Sequence, residues 1–268
     1  MNALLMKTIF AVQDLYVRPY ISLALSVLES SKDDAAVSVA EAIRDTFYRR
    51  PSDREQIHID AIERHRALLE ASQEELEILD FGAHSATPDG TVVHRTLSDV
   101  TVTSSKPRRW GLLLFYLIQR LVPDRCLEFG TCVGISTLYQ SVSLSMNGSG
   151  TIVTMEGAPS LSAVAQKGFE AFDNGNITVV VGRFSDLLTP VIAEYQPFDL
   201  VFIDGHHERS ATIDYFEKIL PSVSRNAVVI FDDIHWSKGM KDAWKTIVRH
   251  RRVKYSVDLY QLGIVIVS

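Results

Sequence analysis

Cysteine is scarce: the 268-residue chain has two, Cys126 and Cys132. Both flank a glycine turn and read as small packing residues rather than a disulfide, which points to a reducing, cytoplasmic setting. A basic excess is missing. Lys and Arg total 27 against 33 Asp and Glu, a net charge of −6, and this argues against a nucleic-acid partner. No apolar run approaches the ~20 residues of a membrane span. Lys7, Asp14 and Arg18 interrupt the apolar start before it could serve as a signal core. Repeats and low-complexity tracts are also lacking. What remains is 46% hydrophobic, enough for a real core. The length suits one large domain, or one domain with an extension.

The chain is organised around Cys126-Leu127-Glu128-Phe129-Gly130-Thr131-Cys132-Val133-Gly134-Ile135-Ser136-Thr137. It reads as the end of a buried strand, a glycine turn and the first turn of a helix. Gly130 and Gly134 allow backbone angles and a close ligand approach that a side chain would block. The helix that follows aims its free N–H groups at the turn. The dinucleotide spacing G-x-G-x-x-G is absent. In its place stands G-x-x-x-G with Glu128 two residues ahead, an acid that would repel a pyrophosphate and suits a ligand with a positive centre. The pattern E-x-G-x-x-x-G resembles the first motif of the class I S-adenosylmethionine (SAM) methyltransferases.

Along the chain, residues 1–80 read as helical. Phe10, Leu15, Tyr16, Leu23, Leu25 and Leu28 form a loose stripe, Ser52 or Asp53 is placed to cap a helix, and apolar residues at helical spacing continue to Leu79. Residues 80–107 read as a linker with short extended pieces, and 108–122 as a helix. Strands follow at 126–129, 151–155, 177–181, 198–203 and 227–231, alternating with helices at 159–172, 211–220 and, capped by Ser237, up to His250. Residues 253–262 and 263–267 close as a hairpin. Near-continuous apolar strands alternating with helices predict an α/β fold, a doubly wound, mostly parallel seven-stranded sheet with an N-terminal helical extension.

Acids fall at the carboxyl ends of four of the first five strands: Glu128, Glu156, Asp204, and Asp232 with Asp233. That edge is where open α/β sheets bind ligands. Glu156 suits an acceptor for two ribose hydroxyls. After the third strand come Gly182, Arg183 and Phe184, with Phe184 placed to pack on a base and Ser185 or Asp186 to reach its amine. Asp204, Asp232 and Asp233 together require protons or a cation, since unit charges ~4 Å apart repel by roughly 4 kcal/mol at an effective dielectric of 20. An all-oxygen site suits Mg²⁺ or Ca²⁺, while His206, His207 and His235 nearby keep Zn²⁺ open.

The segments LEFGTCVGIST, TMEG, VGRFSDLL, FIDGHH and FDDIHWSKGM extend the resemblance across residues 108–268. This region is similar to metal-dependent O-methyltransferases of the catechol O-methyltransferase type. It resembles still more the methyltransferases acting on sugar hydroxyls in antibiotic assembly. The resemblance implies SAM held by Glu128, Gly130, Thr131, Gly134, Ser136, Glu156, Gly182, Arg183, Phe184 and Asp204. It implies a metal, Mg²⁺ or Ca²⁺, on Asp204, Asp232 and Asp233. It places a base three residues past the first metal ligand, at His207. The expected organisation is 1–105 as a helical extension and linker, serving as substrate lid or dimer arm, and 106–268 as the SAM-binding domain. The expected partner is a small-molecule hydroxyl substrate, with homo-oligomers through the N-terminal helices. A metal-independent N-methyltransferase, an NAD-linked oxidoreductase and a non-catalytic SAM-binding protein are the other readings.

Overall fold

The structure, a computed structural model, describes residues 21, 22, 24–81, 90–173 and 175–268. Phe10, Leu15, Tyr16 and Leu23 of the first stripe lie outside the described residues, as do Gly82 and Pro88 of the expected linker. Helices α1 (Asp34–Tyr48) and α2 (Asp53–Ala71) each begin on a side-chain cap. Asp33 accepts from the amides of Ala35 and Ala36. Ser52 and Glu55 form a reciprocal capping box, which satisfies two amides that the first helical turn leaves open.

The helix expected to run to Leu79 stops at Ala71. Residues Glu75–Asp80 form strand β1 instead, with Leu76 and Ile78 buried on one side. Two buried positions two apart are strand spacing, and β2 (Thr91–Thr96) pairs with β1 antiparallel as a separate small sheet. The expected linker also holds a helix, α3 (Leu97–Ser104), capped by Thr96. Its buried Leu97, Val100 and Thr101 follow helical spacing, but the β-branched run Val100–Thr103 lowers helix propensity and hid it.

Helix α4 (Arg108–Leu121) leads into β3 (Arg125–Phe129), and α5 (Ile135–Asn147) follows the glycine turn. The rest runs β4 (Thr151–Glu156), α6 (Pro159–Ala171), β5 (Ile177–Val181), α7 (Phe184–Tyr195), β6 (Phe198–Ile203), α8 (Arg209–Ile219), β7 (Val223–Phe231), α9 (Lys238–Ile247), β8 (Val253–Asp258) and β9 (Gly263–Val267). Sequence reading leaves out α7, because Pro190 sits inside it. The strands make one sheet of seven in the order β5-β4-β3-β6-β7-β9-β8. All pairs are parallel except those of β9, which runs antiparallel to β7 and β8.

Alternation along the strands splits the core in two. Cys126, Leu200, Phe202, Val228 and Ile230 join one apolar cluster with the residues of α4 and α5. Leu127, Phe129, Val201, Ile203, Val229 and Phe231 join the other with those of α8 and α9. Helices therefore cover both faces, which is the doubly wound arrangement. The two cysteines are free, as expected. Among the described residues, no helix is long and apolar enough to cross a membrane.

The N-terminal helices belong to the first cluster. Ala36, Val39, Ala40 and Ile43 of α1 are fully buried against α4. Arg120 of α4 pairs with Asp45 at 2.7 Å and Glu41 at 3.1 Å, while Asp33 meets Lys254 of β8. Ile43→Ala is expected to cost the whole chain ~2–5 kcal/mol, the range for deleting a buried aliphatic side chain. Urea unfolding followed by far-UV dichroism should show one transition moved to lower denaturant. Two separated transitions would contradict a shared core.

Candidate active site

Parallel strands in register end at one edge, and their loops surround a cavity of about 1290 Å³. The turn after β3 comes closest to the neighbouring strand. Gly130 has φ of +92°, and a Cβ there would sit 2.1 Å from the carbonyl oxygen of Asp204. Only glycine allows that approach. The amide of Gly130 donates to the carbonyl of Met155 and that of Asp204 to the carbonyl of Phe129, so both turns continue the sheet's bonding.

Glu156 lies on the cavity wall. Its carboxylate accepts from the amides of Cys132 at 2.7 Å and Ala158 at 2.8 Å. Burial nevertheless pushes its pKa up to about 7 against those backbone donors. Gly130, Arg183, Phe184 and Ser185 also line the cavity. The Arg183 guanidinium stands 5.1 Å over the ring of Phe81. Phe184 meets Phe129 edge-on at 5.6 Å.

The structure does not bring Glu128 to the cavity. Strand parity turns it to the α5 face, where it is fully buried. Its carboxylate accepts from Thr137, from Thr154 at 2.7 Å and from Gln140 at 2.8 Å. Ser136 donates to it as well, and burial still raises its pKa. Thr131 bonds Thr154 at 2.6 Å. Gly134 (φ +87°) turns the chain into α5, with Phe169 filling the space a side chain would need. Gly182 bonds its amide to the carbonyl of Glu156. Glu128, Thr131, Gly134, Ser136 and Gly182 thus shape the ground beneath the cavity rather than its lining.

On the other side of the cavity, β6 and β7 deliver Asp204 and Asp232. His207 follows a tight turn closed by its amide on the Gly205 carbonyl at 2.8 Å, with His206 at φ +65°. Such a three-residue turn is rare and strained, as backbone at functional sites often is. It separates the two histidines. His206 bonds Tyr215 at 2.9 Å, whereas Nε2 of His207 comes within 3.6 Å of Asp204. Burial lowers the pKa of His207, with the charge of Asp232 opposing, and leaves it neutral at pH 7. His235 is tied to Asp258 at 2.8 Å and stacks on Tyr260. Trp236 meets the His207 ring edge-on at 6.1 Å and lines the mouth.

Asp204, His207 and Asp232 bring one ligand atom each within 4.8 Å of one another. Asp233 is outside that group; its backbone is left-handed (φ +53°), and burial with Asp232 beside it raises its pKa to about 6. The space between the two other acids is taken. Nζ of Lys106 contacts Oδ2 of Asp232 and lies 3.1 Å from Oδ2 of Asp204. Burial works against the ammonium, but the three aspartates together outweigh it and hold the pKa of Lys106 above its usual range. Asp232 is held below the usual carboxylate range, since Lys106 and His207 together outweigh its burial. Burial and the charge of Asp232 push Asp204 well above it. As arranged, the residues do not fit a divalent ion. Among the described residues, Oδ1 of Asp232 is buried without a hydrogen-bond partner, an acceptor open to a ligand's donor.

Sequence reading missed Lys106. The signal was present in the demand of three edge acids for a cation, which an internal lysine can meet as well as a metal. It also missed Cys132 as a donor to Glu156, because a backbone amide leaves no trace in residue type.

The raised pKa of Glu156 makes stability depend on pH. Native Glu156 keeps its proton to about 7, while an unfolded glutamate loses it near 4.3. The stabilisation is complete below the unfolded value and is lost as pH rises through the folded one. Glu156→Gln should remove that loss. From pH 4 to pH 8 the variant is expected to gain on the order of 3 kcal/mol relative to the parent, read from urea unfolding at both ends. An unchanged difference would place the titration elsewhere.

Three comparisons bear on this geometry. Residues 127–234 match the family model of a methyltransferase domain. A protein-L-isoaspartate O-methyltransferase of Fervidobacterium nodosum is 36% identical over 101 residues, 38% of this chain and 47% of that protein. A caffeoyl-CoA O-methyltransferase of Stellaria longipes is 24% identical over 132 residues, 47% of this chain and 52% of that protein. The chain thus spans about half the length of these curated relatives. An O-methyltransferase from Bacillus cereus, solved in complex with SAH, superposes with a TM-score of 0.57 at 21% identity, covering 86% of this chain and 97% of that one. Residues 127–234 thus match a methyltransferase domain, and the fold around them is the Rossmann-like one shared with the SAH-bound O-methyltransferase.

Proposed function

We propose that this chain is a SAM-dependent O-methyltransferase acting on a small-molecule hydroxyl. The observation that carries the reading is one cavity with Glu156 and Phe184 on one side and Asp204, His207 and Asp232 on the other. The first pair suits a ribose and a base, and the second suits a hydroxyl that must lose a proton. The cavity's volume accommodates donor and acceptor together. The methyltransferase-domain match supports the reading. The glycine spacing speaks against a dinucleotide, whereas an acid placed like Glu156 would serve the ribose of either ligand. The divalent ion that the row of acids first suggests does not enter it, since Lys106 stands between Asp204 and Asp232.

In this reading Glu156 accepts the ribose hydroxyls and Phe184 packs on the base. The sulfonium's methyl carbon faces the acceptor oxygen across the cavity. Methyl transfer is an in-line displacement in which alignment is the main contribution. A C–O bond forms, the C–S bond breaks, and sulfur leaves as a neutral thioether with the bonding pair. The acceptor's proton passes to Nε2 of His207.

Titration calorimetry with SAM and with NAD tests the donor. Ribose hydroxyls favour ionised Glu156, so SAM affinity should fall as pH drops below about 7, and Glu156→Gln should flatten that dependence. At pH 8 the variant should bind ~1.5–3 kcal/mol more weakly, the worth of a charged hydrogen bond. NAD binding without SAM binding would sink the reading.

His207→Ala should lower methyl transfer ~10²–10⁴-fold with SAM affinity intact, measured with labelled SAM and a metabolite extract as acceptor source. A variant within a few-fold of the parent would remove His207 as the base.

A further inference from the structure

The acid cluster already has a cation, and the chain itself supplies it. Lys106 sits between α3 and α4 and is 7% exposed. Its position is fixed from behind. The Lys106 carbonyl accepts from Nη2 of Arg66 at 2.7 Å. Arg66 is buried and paired with Glu63, which in turn takes the hydroxyl of Tyr139 at 2.8 Å. Pro107 follows and sets the entry into α4 with a fixed φ. Two helices, α2 and α5, thus hold the peptide that presents the ammonium.

The ammonium borders the cavity beside His207. It has three N–H donors, and Asp204 and Asp232 engage it from two directions. A Mg²⁺ ion on the same oxygens would need bonds of about 2.0–2.1 Å. It would then stand against a positive charge in a buried place, where repulsion is poorly screened. One cation excludes the other.

Resting on the methyl-transfer reading of this cavity, we propose that the Lys106 ammonium is the resident cation of the site. It holds Asp204 and Asp232 together and donates its remaining N–H to the acceptor oxygen. The negative charge developing on that oxygen as its proton moves to His207 is met by a fixed donor, which is where preorganised electrostatics act most strongly. Lys106 stays protonated throughout, so the step needs no further reactant.

Mn²⁺ titration of the full chain, read by the electron paramagnetic resonance signal of the free ion, tests this without an acceptor. The parent chain should leave equimolar Mn²⁺ free. Lys106→Ala and Lys106→Gln should each bind one Mn²⁺ per chain, and adding Asp232→Asn to Lys106→Ala should abolish it. Stoichiometric Mn²⁺ binding by the parent, lost in Asp232→Asn, would overturn the proposal. So would failure of both Lys106 variants, folded by circular dichroism, to gain the ion. If neither variant folds, the parent titration decides alone. SAM calorimetry on the same parent sample keeps the two claims apart. Absent SAM binding overturns the methyl-transfer reading, while the Mn²⁺ result still decides which cation the acids hold.

Discussion

A carboxylate does not leave water without something to answer its charge. A parallel sheet whose strands end in acids gathers several of them at one edge. The rest of the site follows from how each is answered. Glu128 is answered by hydroxyls and an amide side chain, Glu156 by backbone N–H groups, and Asp204 with Asp232 by the ammonium of Lys106. The three solutions differ in what they leave over. The first closes on itself, the second leaves a carboxylate facing the cavity, and the third leaves a charged donor there.

Glu128 and Glu156 show how little residue type alone settles. Both are glutamates near the end of a central strand, and both read from sequence as ligands of the donor. Glu156 is the last residue of β4 and opens to the cavity. Glu128 lies level with Thr154, on the same face of the sheet as Glu156 but two residues short of its level. That depth puts it under α5, where it ties helix to sheet.

The sheet was legible because strands buried on both faces leave an apolar run bounded by turn residues, as in 198–203 and 227–231. The small sheet of β1 and β2 was not, because Leu76 and Ile78 continue the apolar series of α2 without a Gly or Pro between them. The acids of the site were legible from their place at strand ends. Lys106 was not, since its partners lie about a hundred residues away and no local pattern marks a lysine that folds inward. His207 was separable from His206 only through the turn between them, which is set by backbone angles.

The bond from Arg66 to the Lys106 carbonyl bears on how this fold can be recombined. Chimeras that exchange the segment ahead of the sheet between relatives have to respect that bond. A junction placed anywhere between residues 66 and 106 would take the guanidinium from one parent and the peptide it holds from another. Recombination that preserves the site therefore keeps residues 66–106 as one inherited block.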